Sequence, residues 1–137
     1  MSETNFHTVV IGAGQAGLAT GYHLAQHGEE FVILNAEARA GDEWRRRWDS
    51  LRLFTPARHS ALPGLPHPKP RAFLGKDEVA EYLERYAKHF ELPVRDGVKV
   101  TGLKASDGGF TLTTSADVLT ADSVVVASGA TTEPAVR

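Results

Sequence analysis

Three short apolar runs and two helical patterns carry most of the structural signal in this chain. Residues 7–11 (His-Thr-Val-Val-Ile) form a β-branched run closed by Gly12, and residues 30–34 (Glu-Phe-Val-Ile-Leu) form a second. Both read as buried strands. Residues 15–27 lie between them, with Leu18, Tyr22 and Ala25 at helical spacing and Gly28 placed to end the helix as its C′ residue. Strand, glycine turn, helix and strand make a βαβ unit, expected to be right-handed with parallel strands. A third run, residues 123–127 (Ser-Val-Val-Val-Ala) before Ser128-Gly129, reads as another buried strand of the parallel type.

The strongest amphipathic pattern covers residues 76–90. Val79, Tyr82, Leu83, Tyr86, Ala87 and Phe90 line one face of a helix that Asp77 can cap. Residues 98–105, 110–115 and 118–120 then alternate around a Ser-Asp-Gly-Gly turn, the pattern of an antiparallel meander. Periodicity is weak from Ala36 to Leu53. Five of the seven prolines (Pro56, Pro63, Pro66, Pro68 and Pro70) fall in one stretch that must be irregular or extended. A connection this long is usually functional or covers a site. The expected fold is α/β: a Rossmann-like parallel sheet with an inserted antiparallel meander, in one domain over residues 1–137.

Composition narrows the function classes. A chain of 137 residues fits one domain, and a domain of this size buries roughly two-thirds of its unfolded surface. A net charge of −2 and a pI near 6.3 argue against a nucleic-acid partner, which favours a basic face. The absence of cysteine excludes disulfides, thiolate catalysis and thiolate metal sites, and suits a reducing cytoplasm. Residues 1–7 lack the basic n-region of a signal peptide, and the apolar run at residues 8–11 is far too short to cross a membrane. The expectation is a soluble, cytoplasmic protein.

The sharpest chemical signal is Gly12-Ala13-Gly14-Gln15-Ala16-Gly17, with Gly21 beyond. Gly12 permits a tight turn out of the strand. Gly14 lets a pyrophosphate approach the backbone with no Cβ in the way, and Gly17 lets the helix lie close to the sheet. The helix start then offers free N–H groups and the positive end of its dipole to phosphate. A lone GxGxxG is weak, but this one follows a strand and opens a helix that leads to a second strand. The other reading is a ligand-free strand–helix turn, which the complete unit makes the poorer account. The second half of such a fingerprint is an acidic residue at the end of the second strand, where it takes ribose hydroxyls. Asn35 stands there, with Glu37 two residues on. Asn35 lacks the charge-assisted strength of a carboxylate, so binding is weaker or Glu37 takes part.

With these residues in view, the chain resembles the N-terminal part of the flavin-containing monooxygenase family, especially its bacterial and YUCCA-like branch. Residues 9–17 resemble the FAD fingerprint. Gly41-Asp42-Glu43-Trp44-Arg45 through Trp48 to Pro56 is similar to the Gly-Gly-x-Trp and Arg-Leu-x-x-Pro segment beside the flavin. Residues 124–129 with Pro134 are similar to the family's Ala-Thr-Gly segment. Asn35 stands for the usual Glu, and Asp42 and Ser128 for a common Gly and Thr. The resemblance implies an FAD site made of Gly12, Ala13, Gly14, Gln15, Ala16, Gly17, Asn35, Ala36, Trp44, Arg45, Leu53, Thr55, Ser128 and Gly129. It also implies an oxidoreductase in which NADPH reduces the flavin, and the reduced flavin activates O₂ to oxygenate a soft nucleophile or a carbonyl. The family is about twice this long, and only one GxGxxG occurs here, so the NADPH-binding half and the later return segment are expected to be absent. A fragment, a split subunit completed by a second chain or by self-association, and a non-catalytic nucleotide-binding remnant all stay open. A simple NAD-dependent Rossmann dehydrogenase is the other enzyme reading, and the meander argues against it.

The remaining candidates read more plainly. Trp44 and Trp48 can stack on a flavin or fill the core of a short helix, and the resemblance favours the first for Trp44. Residues 45–47 (Arg-Arg-Arg) can meet phosphate, although charge runs are more often solvated faces. His23 and His27 share a helix face, but no carboxylate in the zincin pattern lies between them, so no metal site is expected. Tyr82, Tyr86 and Phe90 read as helix core. No nucleophile elbow is present, and no acid–base residue stands out.

Overall fold

In the computed structural model, which describes residues 4–46, 61–69 and 71–127, the sheet is organised around β1 (Asn5–Ile11). The chain continues through α1 (Gln15–Gln26), β2 (Phe31–Leu34), the short α2 (Asp42–Arg45) and α3 (Lys76–His89). It then forms β3 (Val94–Arg95), β4 (Val100–Ser106), β5 (Gly109–Thr114) and β6 (Val118–Val126). The six strands lie in the order β3-β2-β1-β6-β5-β4. β3, β2, β1 and β6 run parallel, and β6, β5 and β4 run antiparallel. The expected βαβ unit, the parallel sheet and the meander are all present, and Gly28 sits just past α1 with φ +69°.

Four details differ from the sequence reading. Residues 118–120 and 123–127 are not two strands. They form one nine-residue strand, β6, whose first half pairs antiparallel with β5 while its length pairs parallel with β1. The polar Asp122-Ser123 step interrupts the apolar pattern without breaking the backbone ladder. The second half of β6 is also less buried than a parallel-type run suggests: Ser123 and Val126 are exposed and Val124 and Val125 half-buried. The helices pack chiefly on β1, on β2 and on one another, so little among the described residues covers this end of β6. Finally, Asp77 does not cap α3. The Glu78 carboxylate accepts from the Gly75 N–H at 3.2 Å, while Asp77 pairs with Lys76. β3 escaped the sequence reading altogether, being two residues after Pro93.

Side-chain alternation along β2 builds two cores. Phe31 and Ile33 face one, together with Leu18 of α1 and Val79, Leu83 and Tyr86 of α3. Val32 and Leu34 face the other, with Phe6, Val9, Leu112 and Leu119. Each fully buried aliphatic side chain contributes about 1.5–3 kcal/mol. The helical layer can approach the sheet because Gly17 has no side chain: a Cβ there would stand 1.8 Å from the Gly12 carbonyl oxygen.

The tyrosines of α3 do more than fill the core. The Tyr82 hydroxyl donates to the Leu65 carbonyl at 2.6 Å and accepts from the Leu62 N–H at 2.7 Å. The Tyr86 hydroxyl donates to the Pro63 carbonyl at 2.5 Å. These bonds tie the proline-rich segment 61–69 onto α3, with His67 packed against the Tyr82 ring and its Nδ1 accepting from the Lys69 N–H. Burial lowers the His67 pKa below its ordinary value and raises that of Tyr82. Burial, with Tyr82 and Tyr22 nearby, pushes Tyr86 up to about 12.

Two outcomes follow. Gly17→Ala must displace Gly12 or α1, and should lower the unfolding free energy by about 3 kcal/mol, read from the denaturant midpoint. An unshifted midpoint would show that the close approach relaxes freely. Tyr86 keeps its proton in the fold where the unfolded chain loses it, so its contribution is complete below its ordinary value of 10.0 and fades as pH rises towards about 12. Tyr86→Phe should therefore cost about 1 kcal/mol at neutral pH and lose less stability than the parent across that alkaline window. Parallel pH profiles would contradict this.

Candidate functional site

The carboxyl ends of β1, β2 and β6 meet at the glycine turn. The Gly12 N–H donates to the Leu34 carbonyl at 2.9 Å, joining the turn to the last residue of β2. On the other side the Ala127 N–H donates to the Ile11 carbonyl at 2.8 Å, so the chain leaving β6 runs beside the turn. Gly12 has φ 109°, the left-handed region in which a side chain would be strained. Ala13 is buried beneath the turn, Gln15 and Ala16 are exposed on the first turn of α1, and Gly17 is buried against Gly12.

Gly14 is the N-cap of α1. It is extended (φ −81°, ψ −163°), no side chain caps the helix, and the first turn carries no acidic residue. Nothing lies within 4 Å of where a Gly14 Cβ would stand. The two glycines of the motif therefore differ in kind. Gly17 is required by the protein's own packing, whereas the space at Gly14 is used by nothing in the described fold. An uncapped helix start with positive partial charge beside an open notch suits an anion such as a diphosphate.

Asn35 follows β2 directly and is 5% exposed. Its Oδ1 accepts from the Glu37 N–H at 3.1 Å, and its Nδ2 donates to Asp96 Oδ1 at 2.9 Å. Asp96 lies on the exposed turn between β3 and β4. Sequence reasoning missed it, because 61 residues separate the pair and β3 is too short to leave a pattern. The Glu37 carboxylate, the alternative acceptor, pairs instead with Arg46. Ala36 is exposed beside Asn35.

Trp44 lies half-buried against the core that also holds Ala13 and Leu18. The Arg45 guanidinium donates to the Ala40 carbonyl at 3.0 Å, to Asp42 at 2.8 Å and to Glu84 of α3 at 2.9 Å. Arg45 thus ties α2 to α3. Burial raises the Asp42 pKa, but hydrogen bonds and charge from Arg45 and Arg39 outweigh it and hold the carboxyl below its ordinary value. His27 uses its ring Nδ1–H to donate to the His23 carbonyl at 2.8 Å. Leu53, Thr55, Ser128 and Gly129, with Trp48 and Arg47, lie outside the described residues. Among those described, the structure brings residues 12–17 and 35–36 together at one end of the sheet. No helix among them is long and apolar enough to cross a membrane.

The profile of the pyridine nucleotide-disulphide oxidoreductase family matches residues 9–137. An uncharacterized CzcO-like oxidoreductase of Geobacillus kaustophilus is 47% identical over 127 residues, covering 92% of this chain and 36% of that protein. The indole-3-pyruvate monooxygenase YUCCA1 of Oryza sativa subsp. japonica is 34% identical over 133 residues, covering 93% of this chain and 33% of that protein. The flavin-containing monooxygenase from Stenotrophomonas maltophilia superposes with a TM-score of 0.84 at 33% identity, covering 91% of this chain and 38% of that one. The chain thus spans about a third of the length of the relatives it matches. With a strand–glycine turn–helix unit and an antiparallel meander on the same sheet, and matched by that profile over nearly its whole length, the chain belongs to the pyridine nucleotide-disulphide oxidoreductase family.

Proposed function

We propose that this chain is the FAD-binding portion of an NAD(P)H-dependent flavoprotein monooxygenase. The observation that carries the reading is the start of α1: an uncapped helix with an open notch at Gly14, at the carboxyl end of the sheet. The first-turn N–H groups would hold the FAD diphosphate, with Gly14 admitting it to the backbone and Gly12 turning the chain out of its way. When bound, FAD supplies hydride acceptance and O₂ activation, chemistry no side chain performs. The residues of this chain bind and orient it. In this reading NADPH and the substrate are taken up by parts of the relatives' length that this chain does not span. The meander of β4, β5 and β6 favours a flavoprotein over a simple NAD-dependent dehydrogenase, whose Rossmann unit usually runs βαβαβ without one. The cysteine-free composition suits a cytoplasmic setting.

The test is the visible absorption spectrum of the purified chain after incubation with FAD and gel filtration, beside that of Gly14→Val. The parent should retain the flavin bands. The variant places its Cβ in open space, so it should fold with a loss of only about 1 kcal/mol, yet bind FAD at least about tenfold more weakly. A folded Gly14→Val chain that takes up FAD like the parent would overturn the assignment.

A further inference from the structure

The residue at the end of β2 is an amide, yet a carboxylate stands next to it. We propose that Asp96 is the acceptor for the adenosine ribose hydroxyls of the bound nucleotide, and that Asn35 is the positioning residue that holds it there. The proposal rests on the FAD reading above and deepens it.

Asn35 itself is poorly placed to serve a ligand. It is almost fully buried, its Oδ1 is engaged by the Glu37 N–H, and its Nδ2 is directed at Asp96. Its amide is spent on holding neighbours, much as an Asx turn holds its own backbone. Glu37 is also engaged, since Arg46 neutralises its carboxylate. Asp96 differs from both: it is exposed, and its Oδ1 is fixed at 2.9 Å by the Asn35 amide.

The turn that carries Asp96 is fastened to the exit of β2 by the backbone. The Asn35 N–H donates to the Arg95 carbonyl at 2.9 Å, the Gly97 N–H to the Glu37 carbonyl at 2.7 Å, and the Val98 N–H to the Asn35 carbonyl at 2.8 Å. Residues 95–98 therefore follow residues 35–37 closely, and the preceding residue, Leu34, accepts from Gly12 of the phosphate turn. A carboxylate held here lies on the side of the turn where β2 ends, the place a dinucleotide's ribose takes next to its diphosphate. A hydroxyl donating to a fixed carboxylate makes a charge-assisted bond about twice as strong as one to a neutral amide. The pair thus returns to the site the acceptor that Asn35 cannot supply, with the carboxylate contributed by a different strand connection.

The experiment displaces FAD from the 137-residue chain with ADP, 2′-deoxy-ADP and 3′-deoxy-ADP, in the parent, Asp96→Asn and Asp96→Ala. In the parent, ADP should bind at least about tenfold more tightly than one deoxy analogue. That preference should fall to about threefold in Asp96→Asn and to about one in Asp96→Ala. Asp96→Asn keeps a side-chain oxygen for the Asn35 amide and should unfold thermally near the parent, whereas Asp96→Ala removes that acceptor and should unfold lower; the preference is a ratio within each folded variant and does not depend on that loss. A merely structural role would weaken ADP and its analogues alike and leave the preference intact. A preference unchanged in both variants, or a parent with none, overturns the assignment while leaving FAD binding standing. A parent chain that binds neither FAD nor ADP removes both readings together.

Discussion

The site depends on one close approach. α1 starts where it does, and points its N-terminal turn where it does, because Gly17 lies against the Gly12 carbonyl with no room for even a methyl group. That contact sets the distance between helix and sheet, and Leu18 next along the helix is then fully buried. It also fixes the direction in which the first-turn N–H groups face. The same backbone position of Gly12 lets its N–H reach the end of β2, so the glycine turn and the exit of β2 are parts of one arrangement.

Around that centre, polar contacts between distant segments do what apolar packing cannot, which is to specify orientation. Arg45 joins α2 to α3 through Asp42 and Glu84, and Lys76 Nζ donates to the Arg45 carbonyl at 2.9 Å. Two tyrosine hydroxyls hold the proline-rich stretch against α3, satisfying carbonyl groups that the prolines leave out of any ladder. Asn35 and Asp96 do the same for the β3–β4 turn. In each case a buried or half-buried side chain meets backbone or charge from far along the chain, where an unmade hydrogen bond would be costly.

The elements themselves were largely legible in the sequence. Residues 7–11 and 30–34 are β-branched or aromatic runs closed by polar residues or glycine, and these formed β1 and β2 with shifts of one or two residues at their ends. The apolar spacing of Val79, Tyr82, Leu83 and Tyr86 located α3 and its buried face. Asp107-Gly108 marked the hairpin between β4 and β5, whose flanking residues Ser106 and Gly109 pair as the pattern implies. Where the reading failed, the information was not local. The single strand β6 exists because β1 pairs along nearly all of it, and β3 because two residues find an open edge of β2.

The sequence by itself determined the strand–turn–helix unit, the family resemblance and the glycines of the turn that opens α1. Those features are encoded by neighbours within a few residues, through periodicity and through the absence of a Cβ where one cannot be borne. Only the tertiary structure gave Gly17 its partner, the Gly12 carbonyl, and left the space at Gly14 unused by the described fold. It alone brought Asp96 to Asn35 and turned Arg45 towards Glu84. The pairing of side chains far apart in sequence is set by the path of the backbone through three dimensions, and no local pattern of residues carries that path.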